Sequence, residues 1–360
     1  MTRTRRGSRR AGRGPLGPAL GVGAGVGAAL AGAVGVAAFR KDDLHGEVAL
    51  VAGASRGLGL LLARELARAG ARVAICARDR QELQRAREQL AEEGLEVETF
   101  VCDVSDREQV HRLVAEVEQR LGAVDVLVNV AGIIQVAPEE TLSDEDYARA
   151  MDVMFWGPFH LTRAVLPAMR QRRHGRIATI TSIGGKVAVP HLLPYSAAKF
   201  AAVGWFEGLR AELAGSGVTV TTIVPGLMRT GSHLNATFGG QHGLEYAWFS
   251  LGAGVPVVAM DAERAARRIV GAIRQRRRVL LLTPLAKVAT RVHGVAPSST
   301  VALLAVMGRL LPGPGGPSDR PGALVTGREA DNGLGSTMLR RVTAFGRDAA
   351  RRFNEGTLPG

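Results

Sequence analysis

The sequence predicts an α/β fold built on a parallel, doubly wound sheet of about seven strands. Three observations carry this reading. Short apolar runs alternate with amphipathic segments of helical period between residues 47 and 282, the pattern of repeated strand–helix units. A glycine-rich loop, Gly53-Ala-Ser55-Arg56-Gly57-Leu58-Gly59, follows the first run and opens the first helix. Polar or glycine residues stand at the carboxyl ends of six runs, the edge on which open α/β sheets bind ligands.

Each element follows from local pattern. Residues 47–52 form a short apolar strand. The glycine loop and the Leu60, Leu61, Leu62, Leu66 pattern then form a helix closed by Gly70. Strand, glycine loop and helix place backbone N–H groups against a phosphate. Glycine is required there because a Cβ would hold the backbone away from the ligand. Strand 72–77 ends at Arg78, and Asp79 with Glu82 has the spacing of a capping box for helix 80–92. Strand 96–102 ends at Asp103-Val104, and Ser105 with Glu108 opens helix 106–121 in the same way. Strand 124–128 ends in Asn129-Val-Ala131-Gly132. Ser143 and Asp146 open the next helix, and another runs over 159–172. The fifth strand ends at Ser182, strand 218–224 at Pro225-Gly226, and Asp261 caps a helix to about residue 275 before strand 279–282.

The segment 181–207 carries the chemistry. Pro194 fits the first turn of a helix. Tyr195 and Lys199 are four residues apart and share one face of it. An ammonium beside a phenol favours the phenolate and lowers its pKa, which makes a tyrosine usable as acid or base. Ser182, thirteen residues before Tyr195, supplies a hydroxyl for the same site. An isolated Tyr-x-x-x-Lys is ordinarily an exposed helical pair. The convergence of Gly53, Arg78, Asp103, Asn129, Ser182 and Pro225 on one sheet edge argues for function.

Composition narrows the classes. The 360 residues are 46% hydrophobic, with a formal charge of +13. Eight of the 46 basic residues lie in residues 1–41, which hold no acid; the rest carries 38 basic against 33 acidic residues, an excess of +5. Most of the +13 belongs to a leader and suits an anionic membrane surface. No aromatic-interleaved basic groove or zinc-finger spacing points to nucleic acid. Cys76 and Cys102 end strand-like runs and read as buried, reduced thiols. The eight histidines show no ligand spacing, so no metal is expected.

Residues 15–39 carry no charge, long enough to span a bilayer. Gly21/Gly25 and Gly23/Gly27 give small-xxx-small spacing. A low-complexity arm and a cleaved signal peptide are the alternatives; an uncleaved anchor is favoured, because Arg40-Lys41 closes the run and the fold starts at once. Three regions result: 1–41, a basic leader with the membrane segment; 42–283, the α/β domain; and 284–360, a C-terminal extension. In the extension, 283–311 reads as an amphipathic segment for a membrane surface, 312–322 as a Pro/Gly-rich linker, and 338–353 as a basic amphipathic helix.

Together, Gly53-x-x-x-Gly57-x-Gly59, Asn129-Val-Ala-Gly132, Ser182, Tyr195-x-x-x-Lys199 and Pro225-Gly226 resemble the classical short-chain dehydrogenase/reductase family over about residues 44–283. The resemblance implies a Rossmann-type fold, a nicotinamide cofactor and reversible carbonyl/alcohol chemistry. It implies Tyr195 as general acid in reduction, Lys199 holding the nicotinamide ribose, and Ser182 polarising the carbonyl. It places Ser55, Arg56, Leu58, Asp103, Val104, Asn129, Ala131, Gly132, Pro225, Gly226 and Thr230 beside the glycines of the cofactor site. Two positions depart: Ala52, where the family often has Thr, and Met154, where it usually has Asn in a proton relay.

Cofactor choice follows from charge. A ribose diol needs a carboxylate at the end of the second strand, and a 2′-phosphate needs cations. Arg78 stands at that end and Arg56 lies in the loop, favouring NADP(H) with NAD(H) still possible; Asp79 is better explained as a helix cap. The wall 227–256 contains Leu234, Phe238, Tyr246, Trp248 and Phe249, which either face a hydrophobic substrate or pack the lid. The sequence therefore predicts an NADP-dependent reductase or dehydrogenase for a small-molecule carbonyl or alcohol. It is expected to be membrane-associated with a cytoplasmic catalytic domain, and a homo-oligomer built partly on the Tyr195 helix. The other reading is a non-catalytic nucleotide-binding or scaffold protein, motivated by Met154.

Overall fold

The computed structural model describes residues 2, 42–254, 259–315, 323–333, 350 and 352–355. The expected membrane segment at 15–39 and most of the expected helix at 338–353 lie outside the described residues.

In chain order, β1 (Val48–Ala52) leads through the glycine loop into α1 (Gly57–Arg68), then β2 (Arg72–Ala77), α2 (Arg80–Glu92), β3 (Val97–Val101), α3 (Arg107–Leu121) and β4 (Val124–Asn129). A two-residue strand β5 (Gln135–Val136), α4 (Asp144–Met151), a π-helical turn (Asp152–Trp156) and α5 (Gly157–Arg172) follow. Next come β6 (Gly175–Ile180), α6 (Leu193–Glu212) and β7 (Val218–Val224). A lid contains β8 (Met228–Arg229), β9 (Thr237–Phe238) and α7 (His242–Gly254). The chain closes with β10 (Met260–Asp261), α8 (Ala262–Arg274), β11 (Val279–Leu281), α9 (Pro284–Val295), α10 (Pro297–Gly308), β12 (Val325–Thr326) and α11 (Gly327–Gly333).

The seven-stranded sheet has the order β11-β7-β6-β4-β1-β2-β3 and every pairing in it is parallel. The expected Rossmann-type fold is therefore present. β1 pairs with both β2 and β4, so the chain's direction of winding reverses there and leaves a crevice at the carboxyl edge. β1 is buried at every position, which is why it reads as a continuous apolar run rather than an alternating one; β6 is buried throughout as well, its Arg176 paired with Asp42 and Glu47. One core packs Leu60, Leu61, Leu62 and Leu66 of α1, Leu83 and Leu90 of α2, and Ile269 of α8 on one sheet face. The other packs Val110 and Val117 of α3, Leu161 of α5 and Phe206 of α6 on the opposite face. Each fully buried leucine contributes about 1.5–3 kcal/mol from burial.

The expected caps are partly corrected. Ser143 and Asp146 form a full reciprocal capping box on α4, and Asp261 caps α8 through Arg264 N. Asp79 caps α2 by accepting from Glu82 N at 2.8 Å. Glu82, however, does not reach back; its carboxylate turns to Ser55 and Arg56. On α3 the cap is Asp106, which accepts from Glu108 N and Gln109 N. Ser105 bonds Asp103 instead, at 2.6 Å, because a second acid one residue on offers the helix a carboxylate cap.

Part of the C-terminal extension joins the lid. β12 pairs with β9, and β9 pairs with β5, in a three-stranded sheet. Ala330 of α11 packs in a small core with Val136, Phe238, Tyr246 and Phe249. Helices α9 and α10 instead stand proud. Leu285, Val288, Val292 and Val295 recur along α9, and Leu303, Val306, Met307 and Leu310 recur from α10 onward; all eight are exposed. Spacings of three, four and seven residues put each set on one helical face. Among the described residues no helix is long and apolar enough to cross a membrane.

Candidate active site

The crevice is assembled from strand ends. β6 ends at Ile180, and Ser182 then caps a short 3₁₀ turn, its Oγ accepting from Gly184 N at 3.0 Å. Ile183 N donates to the Pro225 carbonyl at 2.8 Å, tying this turn to the loop after β7. Pro194 lies in the first turn of α6, so Tyr195 and Lys199 enter the site on successive turns. The Tyr195 ring and the Ser182 hydroxyl meet beside Gly184, where an added Cβ would lie 3.2 Å from Tyr195 Cε1 and 3.5 Å from Ser182 Oγ. Lys199 Nζ donates to the Ile180 carbonyl at 2.9 Å and stands 5.8 Å from the Tyr195 ring centroid. The three expected residues are thus brought together.

Their electrostatics differ from expectation in one respect. Burial holds the Tyr195 phenol above its ordinary value, and the Ser182 hydroxyl offsets part of that rise. Burial also pushes Lys199 down to about 8. Desolvation is the largest influence on both groups, against the expected lowering of the phenol by the ammonium. Tyr195 therefore holds its proton at neutral pH, the state a general acid needs.

Met154 lies in the π-helical turn before α5 and is buried with Ala150, Val153 and Ala198. A Cβ added to Gly132 would lie 3.7 Å from the Met154 Sδ and 3.8 Å from Lys199 Nζ. Methionine thus fills space beside the lysine, where it neither donates nor strongly accepts a hydrogen bond. Single π-turns often mark functional sites.

The dinucleotide cradle lies at β1 and β4. Gly53 has φ +85°, and a Cβ there would be 2.5 Å from Ala131 N; Ala131 N and Val130 N both donate to the Ala52 carbonyl at 2.9 Å. A Cβ on Gly59 would collide with the Gly53 carbonyl. Gly226 is pressed against Thr283 in the same way. Asn129 is buried, with Nδ2 3.5 Å from Thr162 Oγ1, and its Oδ1 meets no donor among the described residues. Leu58 and Val104 are buried at the rim, as is Thr230 near the lid, where its Oγ1 accepts from Ser232 N. The cradle's narrow glycine surface and the N-terminus of α1 suit a phosphate, so the residues fit a nicotinamide dinucleotide.

The two cations are placed differently. Arg56 pairs with Glu82 at 2.6 Å, whereas Arg78 is half exposed and only 3.8 Å from Asp103. No carboxylate follows β2 until Asp79, which caps α2 as expected.

The sequence reading missed the partner of this cradle. Gly57 N donates to the Phe353 carbonyl at 2.8 Å, and a Cβ on Gly57 would collide with Glu355 Oε1. Nothing in local pattern signals a contact between residues some three hundred positions apart.

Lid packing resolves the open aromatic question for three residues. Phe238, Tyr246 and Phe249 are buried against one another, so they hold the lid together. Glu245 is fully buried and bonds His191 at 2.7 Å and Trp248 Nε1 at 2.6 Å, latching the lid to the loop before Tyr195. Both thiols are free and buried, with Cys102 pushed up to about 12 by burial.

The model of the short chain dehydrogenase family matches residues 47–237. The chain belongs to the short-chain dehydrogenase family. This short-chain dehydrogenase is 42% identical over 185 residues to a putative ketoacyl reductase of the granaticin polyketide synthase from Streptomyces violaceoruber, a match covering 51% of the chain and 68% of the relative. It is 34% identical over 195 residues to estradiol 17-beta-dehydrogenase 11 of Homo sapiens, covering 53% of the chain and 65% of the relative. Among solved structures, a short-chain dehydrogenase from Streptomyces avermitilis aligns with a TM-score of 0.63 at 30% identity, over 73% of this chain and 97% of the other. An actinorhodin polyketide ketoreductase solved with NADPH aligns with a TM-score of 0.59 at 33% identity, over 67% and 97%. The chain is thus a member of an oxidoreductase family with NADPH-bound relatives.

Proposed function

We propose that this short-chain dehydrogenase is an NADP(H)-dependent reductase or dehydrogenase for a small-molecule carbonyl/alcohol pair, with Tyr195 as its general acid and base. The observation that carries this is the placement of the Ser182 hydroxyl and the Tyr195 phenol together with buried Lys199 at the carboxyl edge of the sheet. A bound NADPH supplies the hydride. Tyr195 delivers its proton to the carbonyl oxygen, Ser182 orients that oxygen, and Lys199 supports the charge developing on the phenol. Gly53, Ser55, Gly57, Leu58 and Gly59 would hold the pyrophosphate end; Asp103, Val104, Asn129, Ala131 and Gly132 the adenosine side and the floor. Pro225, Gly226 and Thr230 would close the nicotinamide end.

Arg78 is the more available cation for a 2′-phosphate, because Arg56 is engaged by Glu82. The names of the relatives, ketoacyl reductases and estradiol dehydrogenases, support a hydrophobic ketone. The decisive experiment is an NADPH-oxidation screen over hydrophobic ketones, with NADPH and NADH titrated in parallel. Turnover with NADPH preferred supports the reading. Equal binding of the two cofactors sinks the NADP assignment. NADPH binding without turnover on any ketone would favour the second reading, a nucleotide-binding protein without efficient catalysis, for which Met154 beside Lys199 is the motive.

The exposed faces of α9 and α10 support membrane association. Residues 284–315 carry Lys287, Arg291 and Arg309 and no acid, which suits an anionic lipid surface. Gly308 at the end of α10 comes close to Pro190, in the loop between Ser182 and Tyr195, so the end of α10 lies near that loop. The leader at 15–39 would add an anchor, with the catalytic domain on the cytoplasmic side; protease protection on intact cells tests that side. A homo-oligomer through the outer face of α6 and the π-turn before α5 is supported by exposed Phe200 and Trp156; a monomer by light scattering would remove it.

A further inference from the structure

The last described residues, 352–355, lie across the nucleotide cradle. Phe353 is buried in the core beside α1. Asn354 adopts φ +57°, a left-handed conformation asparagine tolerates. Its Nδ2 donates to the Ser55 carbonyl at 2.8 Å and to the Glu82 carbonyl at 3.1 Å, and its Oδ1 accepts from Arg85 Nε at 3.3 Å. Glu355 is 5% exposed; its Oε2 accepts from Asn235 Nδ2 at 2.9 Å, and its backbone carbonyl accepts from Arg328. These bonds tie one short strand of chain to the glycine loop, to α2, to the lid and to α11.

The strap meets the features that suit the cradle to a phosphate. The Phe353 carbonyl takes the Gly57 N–H at the N-terminus of α1, and the Glu355 carboxylate lies against the Gly57 Cα. A helix N-terminus favours a phosphate at this position, and the strap competes by occupying that surface. We propose that Phe353–Asn354–Glu355 is an intrasteric competitor of the dinucleotide, a strap that must leave the glycine loop before a pyrophosphate can enter. The inference rests on the nucleotide-binding reading above and adds a regulation of that same site. Apparent nucleotide affinity is then the intrinsic affinity reduced by the fraction of molecules with the strap released.

Charge makes the strap sensitive to pH. Arg56 from the loop, Glu82 from α2, and Arg328 from α11 act on Glu355, with Arg85 of α2 on the neighbouring Asn354. Burial raises the Glu355 carboxyl to about 7 against the opposing pull of the arginines. The sign is that of a group whose docked pKa lies above its free value. Docking is strongest at low pH, weakens as pH rises from the ordinary carboxylate range to about 7, and is level above that.

The test uses the full chain, with Asn354→Ala and Glu355→Ala variants whose folding is checked by thermal melting. NADPH binding is followed by nicotinamide fluorescence. Each variant should bind about tenfold or more tightly than the unmodified protein if the strap is docked in at least nine molecules of ten. Linkage gives a second readout on the unmodified protein: NADP⁺ should speed tryptic cleavage after Arg352, seen as loss of the C-terminal peptide by intact mass. Unchanged NADPH affinity in both variants, or protection of Arg352 by NADP⁺, would overturn the strap and leave the nucleotide reading standing. No binding by the unmodified protein or by either variant would overturn both.

Discussion

Burial keeps the Tyr195 phenol protonated, and its proposed role as proton donor fixes what its removal should do. Tyr195→Phe retains the ring that packs beside Gly184 but loses the hydroxyl. Turnover should fall by about 10²–10⁴-fold while NADPH affinity stays near that of the unmodified protein; normal turnover on a validated substrate would end the assignment. Lys199 adds a pH signature. Its folded pKa of about 8 lies below the unfolded value of a lysine. Between about 8 and that unfolded value the unfolded chain holds more protons, so this residue's contribution to stability rises with pH over that window. Lys199→Met should remove that rise, measured as Tm against pH relative to the unmodified protein. Met154 offers the opposite kind of test. Its side chain fills a buried gap beside Lys199 without a hydrogen bond to give, so Met154→Asn should keep or raise kcat. A drop beyond about tenfold, roughly 1.4 kcal/mol in barrier, with normal stability would give Met154 an active role.

The strand–loop–helix unit from β1 to α1 works only as a whole. Gly59 is seated so closely on the Gly53 carbonyl that a methyl group has no room. The obstacle is backbone, which cannot swing aside as a side chain can. Gly59→Ala should therefore destabilise the protein by about 1–3 kcal/mol, as overpacking does, and weaken NADPH binding beyond what the lost stability explains. Chemical denaturation and nucleotide titration on the same sample separate the two effects. A similar logic places the lid: β5, β9 and β12 come from three distant stretches, and their aromatic core leaves His191, Glu245 and Trp248 to fix the lid's position over the Tyr195 loop.

For the whole molecule, the exposed apolar faces of α9 and α10 set the expected surface behaviour. Nine of the fifteen large hydrophobic side chains exposed among the described residues fall between Leu285 and Leu310. An acid placed on an already exposed stripe should alter stability little, within about 0.5 kcal/mol, while opposing insertion among lipids. Val292→Asp combined with Met307→Asp should abolish co-sedimentation with phosphatidylserine-containing vesicles, and neutral vesicles should bind the unmodified protein more weakly. Vesicle binding that survives the double substitution would remove α9 and α10 from the membrane reading. Loss of a dimer in the same variant, with no vesicle binding by the unmodified protein, would assign the face to a second copy.

The sequence by itself determined the order of the seven sheet strands along the chain, the glycine loop and the Ser182, Tyr195, Lys199 set, because each depends on residues near in sequence: period, turn chemistry and fixed spacing. Caps were half legible for the same reason. Asp79 and Asp261 follow local rules, while Glu82 was drawn away by Ser55 and Arg56, which only the packing of α2 on the glycine loop brings near. The rise of the Tyr195 pKa was also decided in three dimensions, since desolvation depends on everything that surrounds a group and not on its neighbour four residues away. The tertiary structure alone joined residues 325–333 to the lid and laid Glu355 against Gly57. Contacts between ends of a chain leave no periodic trace in either segment; they exist only because the sheet brings the carboxyl edges of its strands, and whatever covers them, to one place.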